Sequence, residues 1–190
     1  MPTASSELAE VLARVRASRL RKCGLVGPYA QADSELGRRV AALALSGRGA
    51  YLWGPPGTGK THAAACAVRT LSDRGCRAKL VTAKRLLDEV RDGYDGGDRR
   101  ALERYWSIRL LALDDVGAER PTDWAVETLT TLLDARTAEG LPTVVTSNYS
   151  LGRLRDLWGG VAGARVASRL AGACERIEVD GPDRRIADVL

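Results

Sequence analysis

The chain has 190 residues, 45% of them apolar, no Phe, and a formal net charge of +5 at neutral pH. That is the length of one domain, with a core to be built from Ala, Leu, Val and a few Trp and Tyr. No apolar run approaches the roughly 20 residues that span a bilayer. The first helix-like stretch is interrupted by Glu10, Arg14, Arg16 and Arg19, unlike a secretion signal, so a cytoplasmic protein is expected. The cysteines Cys23, Cys66, Cys76 and Cys174 form no C-x-x-C pair and the only histidine is His62, which argues against zinc chemistry. Of 29 basic residues only Lys22, Lys60, Lys79 and Lys84 are lysines. So much arginine permits an approach to nucleic acid without requiring it.

In chain order, residues 5–22 place Leu8, Val11, Leu12 and Val15 on one face of a helix, and its far end is basic. From residue 50 onward short apolar runs alternate with helical patterns. Strands are predicted at 50–53, 78–82, 110–113, 143–146 and 176–179. A helix over 61–73 should bury Ala64, Ala67, Val68 and Leu71. Two shorter helices over 84–91 and 98–106 are separated by a glycine break at 93–97. A helix over 122–139 carries Val126, Leu129 and Leu133 inward, with Thr122 as N-cap and Gly140 as its stop. A last helix covers 161–171. Apolar strands alternating with helices indicate an α/β protein with a parallel sheet covered on both faces.

Gly54-Pro55-Pro56-Gly57-Thr58-Gly59-Lys60-Thr61 is a complete G-x-x-x-x-G-K-T between a predicted strand and a predicted helix. The glycines let backbone N–H groups curl around phosphates, and the helix N-terminus adds its own. Lys60 is expected to reach the β and γ phosphates and the Thr61 hydroxyl to ligate Mg²⁺. Four apolar residues, Leu110 to Leu113, then lead into Asp114 and Asp115. Asp114 at the strand end is expected to hold the metal, and Asp115 to polarise the attacking water, one methylene shorter than the Glu many ATPases use there. A third strand ends in Thr146-Ser147-Asn148, where the Asn148 amide would orient that water or touch the γ-phosphate. Arg165 and Arg169, four apart on a helix, project from one face. A guanidinium offered to a neighbouring subunit's nucleotide is worth ~10³–10⁵ in rate in other phosphoryl-transfer systems; the plainer reading is a pair of surface arginines.

The order GPPGTGKTH, LLALDDVGAE, TSNYSLGRL, GARVASRL resembles the AAA+ ATPases of the DnaC/DnaI helicase-loader branch, to which IstB-type ATPases are similar, from about Cys23 to the C-terminus. The resemblance implies an ASCE-class P-loop NTPase, a three-layer sandwich with sheet order 5-1-4-3-2 and no or minimal C-terminal lid. Residues 1–22 would be an N-terminal helix and 23–190 the ATPase domain. It further implies ATP and Mg²⁺ as cofactors, self-association through an arginine finger, and contact with single-stranded DNA and a replicative helicase. By that analogy Asn148 is sensor 1, Arg169 the finger with Arg165 as second candidate, and Arg185 a sensor 2 that helps bind nucleotide. Only one helix precedes the core where family members usually carry a helicase-gripping domain. The segment 84–109 falls where the family places a helical insertion near DNA; its arginines interleave with Tyr94, Tyr105 and Trp106, a pattern that suits single strands.

Three other functions stay open at this point. An ATPase that helps a transposase choose its target has nearly the same motifs. A small P-loop kinase fits the length but not the Asp114-Asp115 pair or the T-S-N strand. A nucleotide-binding switch with little hydrolysis is compatible with Asp at position 115.

Overall fold

The structure is a computed structural model that describes residues 4–98, 100–118 and 122–184. Its centre is a sheet of five parallel strands: β1 (Gly49–Trp53), β2 (Ala78–Thr82), β3 (Leu110–Asp114), β4 (Thr143–Ser147) and β5 (Cys174–Glu178). They lie in the order β2-β3-β4-β1-β5, which read from the other edge is the expected 5-1-4-3-2. Each strand splits its side chains between two cores. Ala50 and Leu52 of β1 face one and Tyr51 the other; Leu110 and Ala112 of β3 oppose Leu111 and Leu113; Val144 of β4 opposes Val145. Both faces are dry, which is why these strands read as unbroken apolar runs.

Helices α1 (Ala4–Lys22), α2 (Glu35–Leu45) and α3 (Lys60–Asp73), with a 3-10 turn at Gly27–Gln31, cover the first face. Helices α4 (Ala83–Asp95), α5 (Glu103–Trp106), α6 (Asp123–Ala138), α7 (Leu151–Trp158) and α8 (Gly160–Ala173) cover the second. Ala64, Ala67, Val68 and Leu71 of α3 are fully buried, and Val126, Leu129 and Leu133 of α6 nearly so, as their spacing predicts. Thr122 caps α6 by accepting from the Ala125 N–H. Helices α2 and α7 are not among the predicted elements, although each starts at a serine that accepts from the N–H three residues on: Ser34 from Gly37 and Ser150 from Arg153.

Several boundaries differ from expectation, most by a residue or two. Helix α4 runs through Gly93 to Asp95, because Gly93 is there to let Ala101 in: a Cβ on Gly93 would lie 2.5 Å from the Ala101 Cβ. The chain turns at Gly97 instead, in left-handed conformation, and the following helix shrinks to Glu103–Trp106. Strand β5 starts two residues early, directly after α8 and with no linker between them. In α1, the face carrying Leu8, Val11, Leu12 and Val15 is not covered; all four are more than half exposed. The helix is tied down at its far end, where Leu20 enters the core and Arg16 and Arg19 both reach Asp73.

One charge is buried where sequence rules place none. Arg136 of α6 is wholly inaccessible and forms no ion pair among the described residues; its guanidinium donates to the carbonyls of Tyr105, Trp106, Ile108 and Pro142 and to Thr143 Oγ1. It thereby ties the segment entering β3 to the segment entering β4. Burial pulls its pKa down to about 10, so it remains charged at neutral pH.

Candidate functional site

The carboxyl ends of the strands lie level: Trp53 of β1 is beside Ser147 of β4 and Glu178 of β5, and Thr82 of β2 beside Asp114 of β3. In an open parallel sheet the segments leaving that edge form the natural crevice for a ligand. Here they enclose a cavity of about 490 Å³. Its walls include Pro56, Gly57, Gly59, Lys60 and Thr61 from the glycine-rich loop and the start of α3, Asp114 at the end of β3 and Asp115 just after it, and Thr146 of β4 with Asn148 just after that strand. The three motifs separated in the sequence therefore meet at one place.

The loop is built for a close approach. Gly59 has φ 99° and immediately precedes α3, so the helix opens with its first N–H groups turned to the cavity. Gly54 has φ 147° and a Cβ there would lie 2.2 Å from the Val179 carbonyl oxygen. Buried Lys60 donates to the carbonyls of Gly54 at 2.7 Å and Pro55 at 2.6 Å, so its ammonium sits within the loop's curl.

Asp114 is nearly buried, and burial raises its pKa above the usual carboxylate range, against hydrogen bonds from Thr146 and Thr61 that lower it. Thr61 Oγ1 donates to Asp114 Oδ1 at 2.8 Å, and Thr146 Oγ1 donates to the same oxygen at 2.6 Å. A hydroxyl and a carboxylate side by side at a cavity wall are the oxygen donors a magnesium ion takes while keeping waters and substrate oxygens for its other positions. Among the described residues no three His, Cys, Asp or Glu side chains gather into a metal cage.

Asp115 is exposed to the cavity and has φ 60°, a non-glycine residue in the left-handed region. Such a conformation persists only where its surroundings fix it. Thr146 does so: its Oγ1 accepts from the Asp115 N–H at 2.9 Å and its carbonyl from the Val116 N–H. Ser147 adds a bond from its hydroxyl to the Val116 carbonyl. The T-S-N run thus does two jobs. Thr146 sets the two acids and Ser147 braces the Val116 carbonyl behind them, a part not predicted from the sequence, while Asn148 lines the cavity beside Thr146.

The family described as IstB-like ATP binding protein matches residues 31–188. This chain belongs to that family. By that membership it is an ATP-binding protein with the AAA+ P-loop fold. Among curated relatives, the replicative helicase loader DnaI of Bacillus subtilis is 30% identical over 149 residues, 73% of this chain and 48% of the relative. A putative ATP-binding protein in an insertion sequence of Mycobacterium tuberculosis is 30% identical over 156 residues, 78% of this chain and 61% of the relative. The chain thus spans about half to three-fifths of the length of these relatives. The crystal structure of DnaI superposes with TM-score 0.67 at 28% identity, covering 79% of this chain and 81% of that one. No helix among the described residues is long and apolar enough to cross a membrane.

Within this IstB-like fold, some expected site residues lie elsewhere. Arg165 and Arg169 are not in the cavity. Arg169 lines a small pocket with Thr143 and Cys174, the first residues of β4 and β5, at the opposite end of the sheet. Arg185 lies outside the described residues, but its neighbour Arg184 lines the cavity over Gly59 and donates its backbone N–H to the Gly57 carbonyl. Tyr29, from the 3-10 turn, and His62 also form part of the wall. Neither Arg184 nor Tyr29 is marked by a local motif; only the fold brings them in. In the 84–109 segment Tyr105 is buried, its hydroxyl donated to Glu89, so it offers no stacking face. Arg85, Arg100 and Arg104 pair with Glu89, Glu103 and Asp98, and Arg91 lies over the Trp124 ring. That leaves Tyr94 and the half-buried Trp106 as stacking candidates.

Proposed function

We propose that this chain hydrolyses ATP as one copy in an assembly, each active site being completed by a neighbour, and that it acts on a replicative helicase together with single-stranded DNA. The observation that carries the assembly reading is the separation of parts. Lys60, Asp114, Asp115 and Asn148 share a cavity at one end of the sheet, while Arg169 lies at the other end and Arg165, which meets the same Asp134, is also outside that cavity. The helicase and DNA readings rest on the likeness to a helicase loader.

In this reading the loop N–H groups and Lys60 hold the β and γ phosphates, Lys60 leaving its carbonyl partners for the substrate. Thr61 and Asp114 hold Mg²⁺, which when bound neutralises charge on the phosphate oxygens. Asp115 accepts a hydrogen bond from the attacking water and aims it, and Asn148 fixes that water from the β4 side. Arg184 adds a guanidinium above the loop in the place expected of Arg185. Arg169, with Arg165, approaches the γ-phosphate from the next copy and balances the charge that develops there.

The insertion-sequence relative supports a second reading, an ATPase that assists a transposase, with the same chemistry and a different client. The test is a pull-down from ATP-loaded protein with a hexameric replicative helicase or with a transposase, each with and without single-stranded DNA, beside turnover measured across protein concentration. Nucleotide-dependent capture of the helicase, and a rate per chain that climbs with concentration, are expected. A rate per chain independent of concentration removes the shared site; capture of the transposase alone moves the protein to the second reading.

A further inference from the structure

Arg165 and Arg169 do not stand alone on α8. Asp134 of α6 meets both. Arg169 Nε lies 2.5 Å from Asp134 Oδ1 and Arg165 Nη2 lies 3.6 Å from Oδ2. The carboxylate is two-thirds covered while the two arginine side chains are half exposed or more. Oδ1 is buried and has no hydrogen bond, so its contact with Arg169 is a close charge pairing off the hydrogen-bond axis. The pairing engages Arg169 at its inner nitrogen, and about half of the arginine side chain stays exposed. Val161, four residues before Arg165 and eight before Arg169, continues the stripe and is 78% exposed.

Two cations sharing one carboxylate leave a net positive charge at the surface of α8. As a means of holding α6 to α8 such a half-exposed contact contributes little. Its effect on the arginines themselves is larger, since a long side chain held at Nε loses most of its rotamers while about half of it stays exposed.

We propose that Asp134 is a positioning residue that holds Arg169, and through the shared carboxylate Arg165, in the pose presented to the nucleotide of a neighbouring copy. This rests on the arginine-finger reading above. A transition-state group displaced by about 1 Å can cost about a hundredfold in rate, so Asp134→Asn is expected to lower turnover at high protein concentration by at least about tenfold. Asp134→Glu should fall between wild type and Asp134→Asn.

The decisive experiment mixes chains. Lys60→Ala chains, which cannot use their own site, carry an intact Arg169 and Asp134. Added to Asp134→Asn chains, they are expected to raise ATP turnover above that of Asp134→Asn alone, because the sound arginine acts in the neighbour. ATP affinity of the dilute Asp134→Asn chain and its Tm should equal the wild-type values. Asp134→Asn added to Arg169→Ala should change the residual rate no further. Wild-type turnover by Asp134→Asn, with Arg169→Ala inactive, overturns the role of Asp134 and leaves the finger standing. Wild-type turnover by Arg169→Ala removes the finger itself. Loss of turnover by Asp134→Asn without rescue on mixing, or with a lowered Tm, overturns the proposal in favour of a packing role.

Discussion

The two ends of the sheet each hold a charge out of water, and they do so in opposite ways. At the carboxyl ends Asp114 is surrounded by two hydroxyls, a second carboxylate and an open cavity. At the amino ends Arg136 is wholly enclosed and has bonds to four carbonyls and a hydroxyl. Arg136 is bonded through all three of its guanidinium nitrogens and joins two segments of the chain. Asp114 retains capacity to accept more and faces a space the size of a ligand. A buried charge is therefore no sign of a site by itself; the open valence beside it is.

Changes at the two ends should separate function from stability. The largest effect is expected at Lys60. Lys60→Ala should weaken ATP binding by at least about a hundredfold, the scale of losing a charge-assisted phosphate contact in a partly enclosed site. Titration with a fluorescent ATP analogue checks it, and wild-type affinity would mean that the cavity is not where nucleotide goes. At the same end, Asp115→Asn should keep ATP bound and slow turnover by about 10²–10⁴, the usual contribution of a positioned proton acceptor; equal single-turnover rates would exclude Asp115 from that part.

At the other end, Arg136→Met should cost about 3–5 kcal/mol of stability by stranding buried carbonyls that each lose about 1–3 kcal/mol of hydrogen bonding and solvation. Chemical denaturation measures the loss, and the fraction still folded should bind ATP normally. Asp114→Asn should do the reverse. Burial raises the Asp114 pKa, which means that the charged form is disfavoured in the fold. The nucleotide-free variant should melt higher than wild type at neutral pH and lose magnesium-dependent turnover. A lower Tm would show that the carboxylate contributes to the fold and break the contrast with Arg136.

The smallest effect concerns α1. The Arg16 and Arg19 guanidiniums hold the Asp73 carboxyl below the usual range. A depressed acid adds stability above its unfolded pKa and loses it as pH falls through the folded value. Asp73→Asn should thus cost about 0.2–1 kcal/mol at neutral pH, typical of a half-exposed pair, and nothing once wild-type Asp73 is itself protonated. Melting curves compared at neutral and at strongly acid pH would show the difference closing.

The cavity end is far more legible in the sequence than the rest of the molecule. Glycines, a lysine and acids at strand ends have few reasons to occur in that order, so Lys60, Thr61, Asp114, Asp115 and Asn148 can be picked out from residue type and spacing alone, and the strand order follows from resemblance. The features that escape prediction have no local signature. Arg136 has the spacing of a solvent-facing arginine at the end of a helix, and only the carbonyls of other segments explain it. Gly93 looks like a helix breaker until Ala101 packs against it. Arg184 enters the site because β5 lies beside β1, a long-range fact. The apolar face of α1 is a correct helix period whose burial does not follow from period alone.

The left-handed backbone at Asp115 has one more consequence, for which acid the site can use. Residues whose short polar side chains tolerate that conformation are chiefly Asn and Asp, whereas a longer side chain meets a steric cost of about 1–2 kcal/mol. Thr146 fixes the conformation from two sides. The choice of aspartate over glutamate is thus made by the main chain before chemistry is considered. Asp115→Glu would not simply extend the carboxylate's reach; it would set side-chain length against backbone shape, and the chain would have to surrender one of them.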